Sequence, residues 1–176
     1  IWLSILNYRN TLSAYVAQLY APEDEVLAPS TVDGYYQPLA MISLMLDAAR
    51  GGSPDNLRPF HETSLFLHAL NTSLVILLLY TLLGNLAVSA ASGLLYGMHP
   101  LAVESVAWVS DRKTCLAAAF ALTSMILYVR WARRGNHWLL ASCIAAYVLA
   151  LLSKPTITLL PVALLLLDYW PLRRLS

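Results

Sequence analysis

Glu62-Thr63-Ser64-Leu65-Phe66-Leu67-His68-Ala69-Leu70-Asn71-Thr72-Ser73-Leu74-Val75-Ile76-Leu77-Leu78-Leu79-Tyr80-Thr81-Leu82-Leu83 is the stretch on which the fold turns. A helix needs about 20 mainly apolar residues to cross the hydrocarbon core of a bilayer, and this run supplies them. Runs of the same character follow at 86–99, 113–131, 137–153 and 155–170. Gly84-Asn85, Arg133-Arg134-Gly135-Asn136 and Ser153-Lys154-Pro155 separate them, and Pro100 ends the second. Connections this short force antiparallel neighbours. The expectation is an all-α, polytopic transmembrane helix bundle of five spans over residues 61–176. Composition agrees: 59% of the 176 residues are hydrophobic, 12% are charged and the mean hydropathy is +0.61. Soluble domains carry roughly 25% charged residues.

Residues 1–60 are mixed in polarity and read as an outer-face loop region with amphipathic helices. Ala21-Pro22-Glu23-Asp24-Glu25, Asp33-Gly34 and Gly51-Gly52-Ser53-Pro54-Asp55-Asn56 are turn-like. Between them Leu39, Ile42, Leu46 and Ala49 recur at helical spacing, with Met41 and Met45 adjoining. That pattern predicts a short helix lying at a membrane surface. Residues 4–20 suggest another. The chain starts Ile1-Trp2-Leu3 and stops just after an apolar run, so a piece of a longer protein is expected.

Arg130, Arg133 and Arg134 lie at one junction, and Arg173 and Arg174 follow the last run. With five spans these fall on one side, which the positive-inside rule makes cytoplasmic. The opposite, outer side then collects Arg58, His61 and Glu62, then His99 and Glu104, then Asp111, Arg112 and Lys113, and finally Lys154. Arg112, Lys113 and Lys154 run against the rule, and basic residues kept on the outer side point to an anionic ligand. The segment Met98-His99-Pro100-Leu101-Ala102-Val103-Glu104-Ser105-Val106-Ala107-Trp108-Val109-Ser110-Asp111-Arg112-Lys113 concentrates ionisable groups in a chain that has few. Such groups at a membrane boundary mark a candidate site, against the plainer alternative of interfacial capping and snorkelling.

His61, His68 and Asn71 are spaced to share a helix face, where a neutral His and an Asn would hydrogen-bond to other helices. Gly93-Leu94-Leu95-Tyr96-Gly97 is a GxxxG pattern that permits close helix approach, with a partner expected inside the same bundle. Asn71-Thr72-Ser73 matches a glycosylation sequon but falls inside a span. Cys115 and Cys143 lie in apolar runs without metal spacing. Asp168 reads as a structural group at the cytoplasmic end. GxSxG, Walker A, Rossmann-glycine, HEXXH and CxxC patterns are missing, so no metal or cofactor is expected. A net charge of +1 leaves no nucleic-acid footprint.

An ordered series of motifs resembles a known family. It runs Tyr35-Tyr36-Gln37-Pro38-Leu39, His61, Leu67–Asn71, His99–Ser110, Arg112-Lys113, Leu151-Leu152-Ser153-Lys154-Pro155 and Leu165–Leu172. It is similar to bacterial membrane proteins that join a GT-C-type glycosyltransferase core to tetratricopeptide repeats, related to the transmembrane-and-tetratricopeptide O-mannosyltransferases. The match covers roughly residues 35–174, and His99–Ser110 is its most specific part.

The resemblance implies a polyprenyl- or dolichyl-phosphate sugar donor, a protein or glycan acceptor, and inverting transfer on the non-cytoplasmic, periplasmic face of a bacterial inner membrane. It places the catalytic acid upstream of residue 1; within the chain Glu104 and Asp111 are weak candidates. Thr114-Cys115 departs from relatives that place an acid after the basic pair. His61, His99, Glu104, Arg112, Lys113 and Lys154 are the expected substrate-binding residues, the cations serving the phosphate. The alternative is a non-catalytic membrane anchor that displays a tetratricopeptide-repeat domain. A transporter half is disfavoured, because its polar groups would lie near the midplane.

Overall fold

Helix boundaries fall where proline, glycine and asparagine stand. The computed structural model describes residues 37–53 and 55–172. The expected helix over 4–20, Tyr35-Tyr36, Glu23-Asp24-Glu25, Arg173 and Arg174 lie outside the described residues. Every regular element described is helical.

Helix α1, Pro38–Ala49, starts on a proline whose missing N–H costs nothing in a first turn. Its C-terminus folds back through Gly52 N–H to Asp47 O at 3.0 Å. Gly52 has to be glycine: a Cβ there would stand 2.5 Å from the Phe60 ring. Helix α2, Arg58–Leu83, has 26 residues and so runs about 39 Å. Gly84 stops it in the left-handed conformation. Asn85 then caps α3, Leu86–Met98, by accepting from Val88 N–H at 3.2 Å. Pro100 opens α4, Pro100–Ala107. A 3₁₀ turn, Val109–Asp111, leads into α5, Arg112–Arg134. Gly135 ends α5 in the left-handed region, and Asn136 caps α6, His137–Ser153.

The expected single helix over 155–170 is broken. Residues Pro155–Leu159 form a 3₁₀-helix, and α7 begins afresh as Leu160–Tyr169. Pro161 explains the break: it has no N–H to donate, and in a continuous α-helix its ring would clash with the Ile157 carbonyl.

Two described segments, Arg58–Leu83 and Val109–Arg134, are long and apolar enough to cross a membrane. Residues Leu86–Met98, His137–Ser153 and Pro155–Tyr169 are apolar but shorter. Large apolar side chains such as Leu94, Leu95, Met98, Val148 and Leu166 point outward from the bundle. A water-soluble domain would not leave so much apolar surface open. The chain is therefore a membrane protein, and all regular structure among its described residues is helical.

Helix α5 is the centre of the bundle, packed between α2 and α6. Small residues on it, Cys115, Ala117, Ala119, Ala121 and Ser124, are buried and let its neighbours close in. Asn71 Nδ2 donates to Cys115 O at 2.9 Å, and Leu78 packs with Ile126 and Val129, so α2 and α5 run parallel. Ser124 Oγ donates to Cys143 O at 3.0 Å across the antiparallel α5–α6 hairpin. The GxxxG pattern meets α2, as expected of a partner within the bundle: an added Cβ would lie 2.2 Å from Ile76 Cγ1 at Gly93 and 2.8 Å from Thr72 Oγ1 at Gly97.

Candidate functional site

Parallel α2 and α5 and antiparallel α3 and α6 bring the start of α2, the end of α3, the start of α5 and the end of α6 to one end of the bundle. Arg112 heads α5 there with no exposed surface at all. Its Nη1 donates to Asp47 Oδ2 and, at 3.3 Å, to Ser43 Oγ; its Nη2 donates to Phe60 O and, at 3.3 Å, to Ser64 Oγ. The guanidinium carbon lies 5.9 Å from the Phe60 ring centroid. Asp47, 1% exposed, accepts in turn from Thr63 Oγ1 at 2.7 Å, and Arg50 Nη1 stands 3.6 Å from its Oδ1. Two charges are thus withdrawn from solvent together, which is tolerable only because each is met by the other and by further hydrogen bonds.

Next to this pair a second polar chain closes the end of the bundle. Lys154 Nζ donates to Thr114 Oγ1 at 2.8 Å, and Thr114 Oγ1 donates to Asp111 Oδ1 at 2.6 Å. A hydroxyl therefore bridges an ammonium and a carboxylate, and it ties the end of α6 to the start of α5. Thr114, read from the sequence as a departure from an expected acid, serves instead as this link. Lys113, between Arg112 and Thr114 in sequence, is half-buried.

The remaining sequence candidates are not joined to either network by the contacts described. His61 is exposed one residue from the Arg58–Glu62 ion pair, whose N···O distance is 2.7 Å. His99 is exposed at the break between α3 and α4. Glu104 lies on α4, with its side chain outside the described set. His68 and Asn71 face neighbouring helices, as expected: His68 Nε2 donates to Gly97 O at 2.9 Å, and Asn71 bonds to Cys115 O. At the far end Tyr128 Oη donates to Asp168 Oδ2 at 2.5 Å. Among the described residues no three His, Cys, Asp or Glu side chains converge as a metal site would require.

Sequence reasoning missed Asp47 and Ser43. Both belong to a small-and-polar stripe, Ala40, Ser43 and Asp47, at helical spacing on α1. The reading singled out Ile42 and Leu46, which are 50% and 58% exposed. The helix is amphipathic, its polar side on the bundle and its apolar side turned away, as a helix at a membrane surface requires.

No family model matches the chain, and no solved structure matches it. Protein O-mannosyl-transferase Tmtc2 of Drosophila melanogaster is 32% identical over 138 residues, 74% of this chain and 14% of that protein. Protein O-mannosyl-transferase TMTC2 of Homo sapiens is 30% identical over 134 residues, 73% of this chain and 16% of that protein. Protein O-mannosyl-transferase TMTC1 of Mus musculus is 31% identical over 113 residues, 62% of this chain and 12% of that protein. The chain thus spans about a seventh of the length of the Drosophila relative. The relation suggested by the His99–Ser110 block and its companions is a real one: this chain is a homologue of the protein O-mannosyl-transferases of the TMTC group.

Proposed function

We propose that this chain forms the donor-binding end of a membrane-embedded protein O-glycosyl transferase of the mannosyl type, using a lipid-phosphate-linked sugar. The observation that carries the reading is the gathering of Arg112, Lys113 and Lys154 at one end of a bundle homologous to named O-mannosyl-transferases. Glycosyl transfer from a lipid phosphate needs a base for the acceptor hydroxyl and cations for the departing phosphate. Lys154 and Lys113 serve the phosphate, Asp111 and Glu104 orient them or meet the acceptor, and His61 and His99 line the approach. Arg112 fixes the scaffold from which the lysines project and lends its charge to the same end. Five membrane crossings, with the shorter apolar helices completing the bundle, put this end on the non-cytoplasmic side. Arg130, Arg133 and Arg134 at the opposite end of α5 support that orientation.

The test is sugar transfer by the full-length protein in proteoliposomes supplied with polyprenyl-phosphate mannose and an acceptor peptide. Lys154→Ala is expected to lower turnover about 100-fold, as loss of a charge-stabilising donor does. Unchanged turnover refutes the assignment. One observation favours a second reading: Arg112, the most buried cation, is wholly committed to Asp47 and its companions. That is what a non-catalytic anchor for a repeat domain would keep, and absence of any transfer by the intact full-length protein would favour it.

A further inference from the structure

Thr114 stands between two charged groups, and its hydroxyl has a single proton to give. That proton goes to Asp111 Oδ1 at 2.6 Å, so toward Lys154 the same oxygen can only accept, and it takes an N–H from Nζ at 2.8 Å. Asp111 is the N-cap of α5, yet its carboxylate takes the hydroxyl and not a backbone N–H. The backbone of Lys154 is held as well. Its N–H donates to Ala150 O at 2.9 Å, and its carbonyl accepts from Ile157 N–H at 3.2 Å. Pro155 keeps it extended, at φ −154° and ψ 114°. Both ends of a flexible side chain are therefore fixed, the Cα by its own helix end and the ammonium by Thr114.

Charge explains the use of a hydroxyl. Arg112 meets Asp47 directly, and both are fully withdrawn from solvent. Among the described residues no carboxylate forms an ion pair with Lys154; Asp111 reaches it through a neutral oxygen. The ammonium is thus held without being neutralised, and it stays half-buried at the end of the bundle. A phosphate gains most from such a cation, because ordering a free lysine side chain at the moment of binding would weaken the complex.

We infer that Thr114 is a positioning residue for the lipid-phosphate donor: it sets the Lys154 ammonium, and Asp111 acts through it and not on the acceptor. The inference rests on the transferase reading for the identity of the anion.

Full-length protein in proteoliposomes, supplied with polyprenyl-phosphate mannose and an acceptor peptide, gives separate KM values for donor and acceptor. Thr114→Val is expected to raise the donor KM about tenfold, the effect of one lost hydrogen bond to a charged group, and to leave the acceptor KM in place. Thr114→Ser keeps the hydroxyl and should restore the donor KM. Asp111→Ala should match Thr114→Val, and the double variant should be no worse than either, because the two residues act in series. A donor KM unmoved by Thr114→Val overturns the inference, even if that variant melts at a lower temperature, and so does an Asp111→Ala effect on the acceptor KM. Binding of polyprenyl phosphate alone separates the inference from the reading beneath it. Wild-type protein that binds it about tenfold more tightly than Thr114→Val, yet transfers no sugar, would sink the transferase reading and keep the positioning role. Sugar transfer with equal binding by the two proteins would sink the positioning role alone, and no binding by the wild type would sink both.

Discussion

Asp47 and Arg112 show how two single residues can hold three helices. Arg112 leads α5, Asp47 belongs to α1, and Phe60 and Ser64 of α2 take the other side of the same guanidinium. Removing one partner strands the other charge without water. Asp47→Ala should therefore destabilise the protein by about 3–5 kcal/mol, read as loss of thermal stability in detergent. Removing both charges together, as in Asp47→Ala with Arg112→Met, should cost clearly less than the sum of the single changes. A strictly additive double-mutant cycle would show that the pair does not act as a unit. Thr114 is the corresponding hinge of the second network. Thr114→Val keeps the volume but cuts both hydrogen bonds, so a loss of about 1–3 kcal/mol is expected. Lys154 should also become more reactive toward an amine-modifying reagent; no gain in reactivity would mean that Thr114 does not restrain it.

Among the elements, the α2–α3 pair is the one whose packing was most legible in the sequence, because GxxxG names a distance as well as a location. Gly93 sits against Ile76 so tightly that Gly93→Ala must push the side chain or the helix aside, at a cost of about 1–3 kcal/mol. Ile76→Ala supplies the missing space, and the double variant should recover most of the loss; failure to recover would place the constraint elsewhere. Helix α6 was legible for a related reason, being framed by Asn136 and by Lys154-Pro155. Helix α7 was not, since hydropathy alone does not register that Pro161 interrupts the backbone ladder. Helix α1 was located, and its apolar stripe turns away from the bundle, as a helix lying at a membrane surface requires; the polar stripe of Ser43 and Asp47 that meets the bundle was not singled out. Periodicity shows that two faces differ; it does not say which faces protein when lipid competes for the apolar one. The candidate site was legible as a set of cations and carboxylates near one another. Its internal pairing was not, because Asp47 is 65 positions from Arg112 and only the folded bundle joins them.

For the whole molecule, the solvent decides what counts as a core. Much of the buried set here is small or polar, including Ser64, Asn71, Ser89, Ser124 and Ser153, while many leucines face outward. That distribution suits a bundle held by close approach and interhelical hydrogen bonds in lipid. Leu95 is one of the outward residues on α3. In a bilayer, Leu95→Arg should cost insertion about 2.5–3.5 kcal/mol, measurable as a lower membrane-integrated fraction. On the surface of a water-soluble domain the same change would be close to neutral, so unaltered integration would count against a lipid-facing α3. The two-sided helix α1 then acquires a mechanical meaning. On the proposed orientation Ile42 and Leu46 would meet the membrane surface, while Asp47 ties the helix to the first turn of α5. On that orientation a change in bilayer thickness would act on α1, and the Asp47–Arg112 pair would pass it to the turn that carries Lys113 and Thr114. The two lysines would in this sense be moored to the height of the lipid around them.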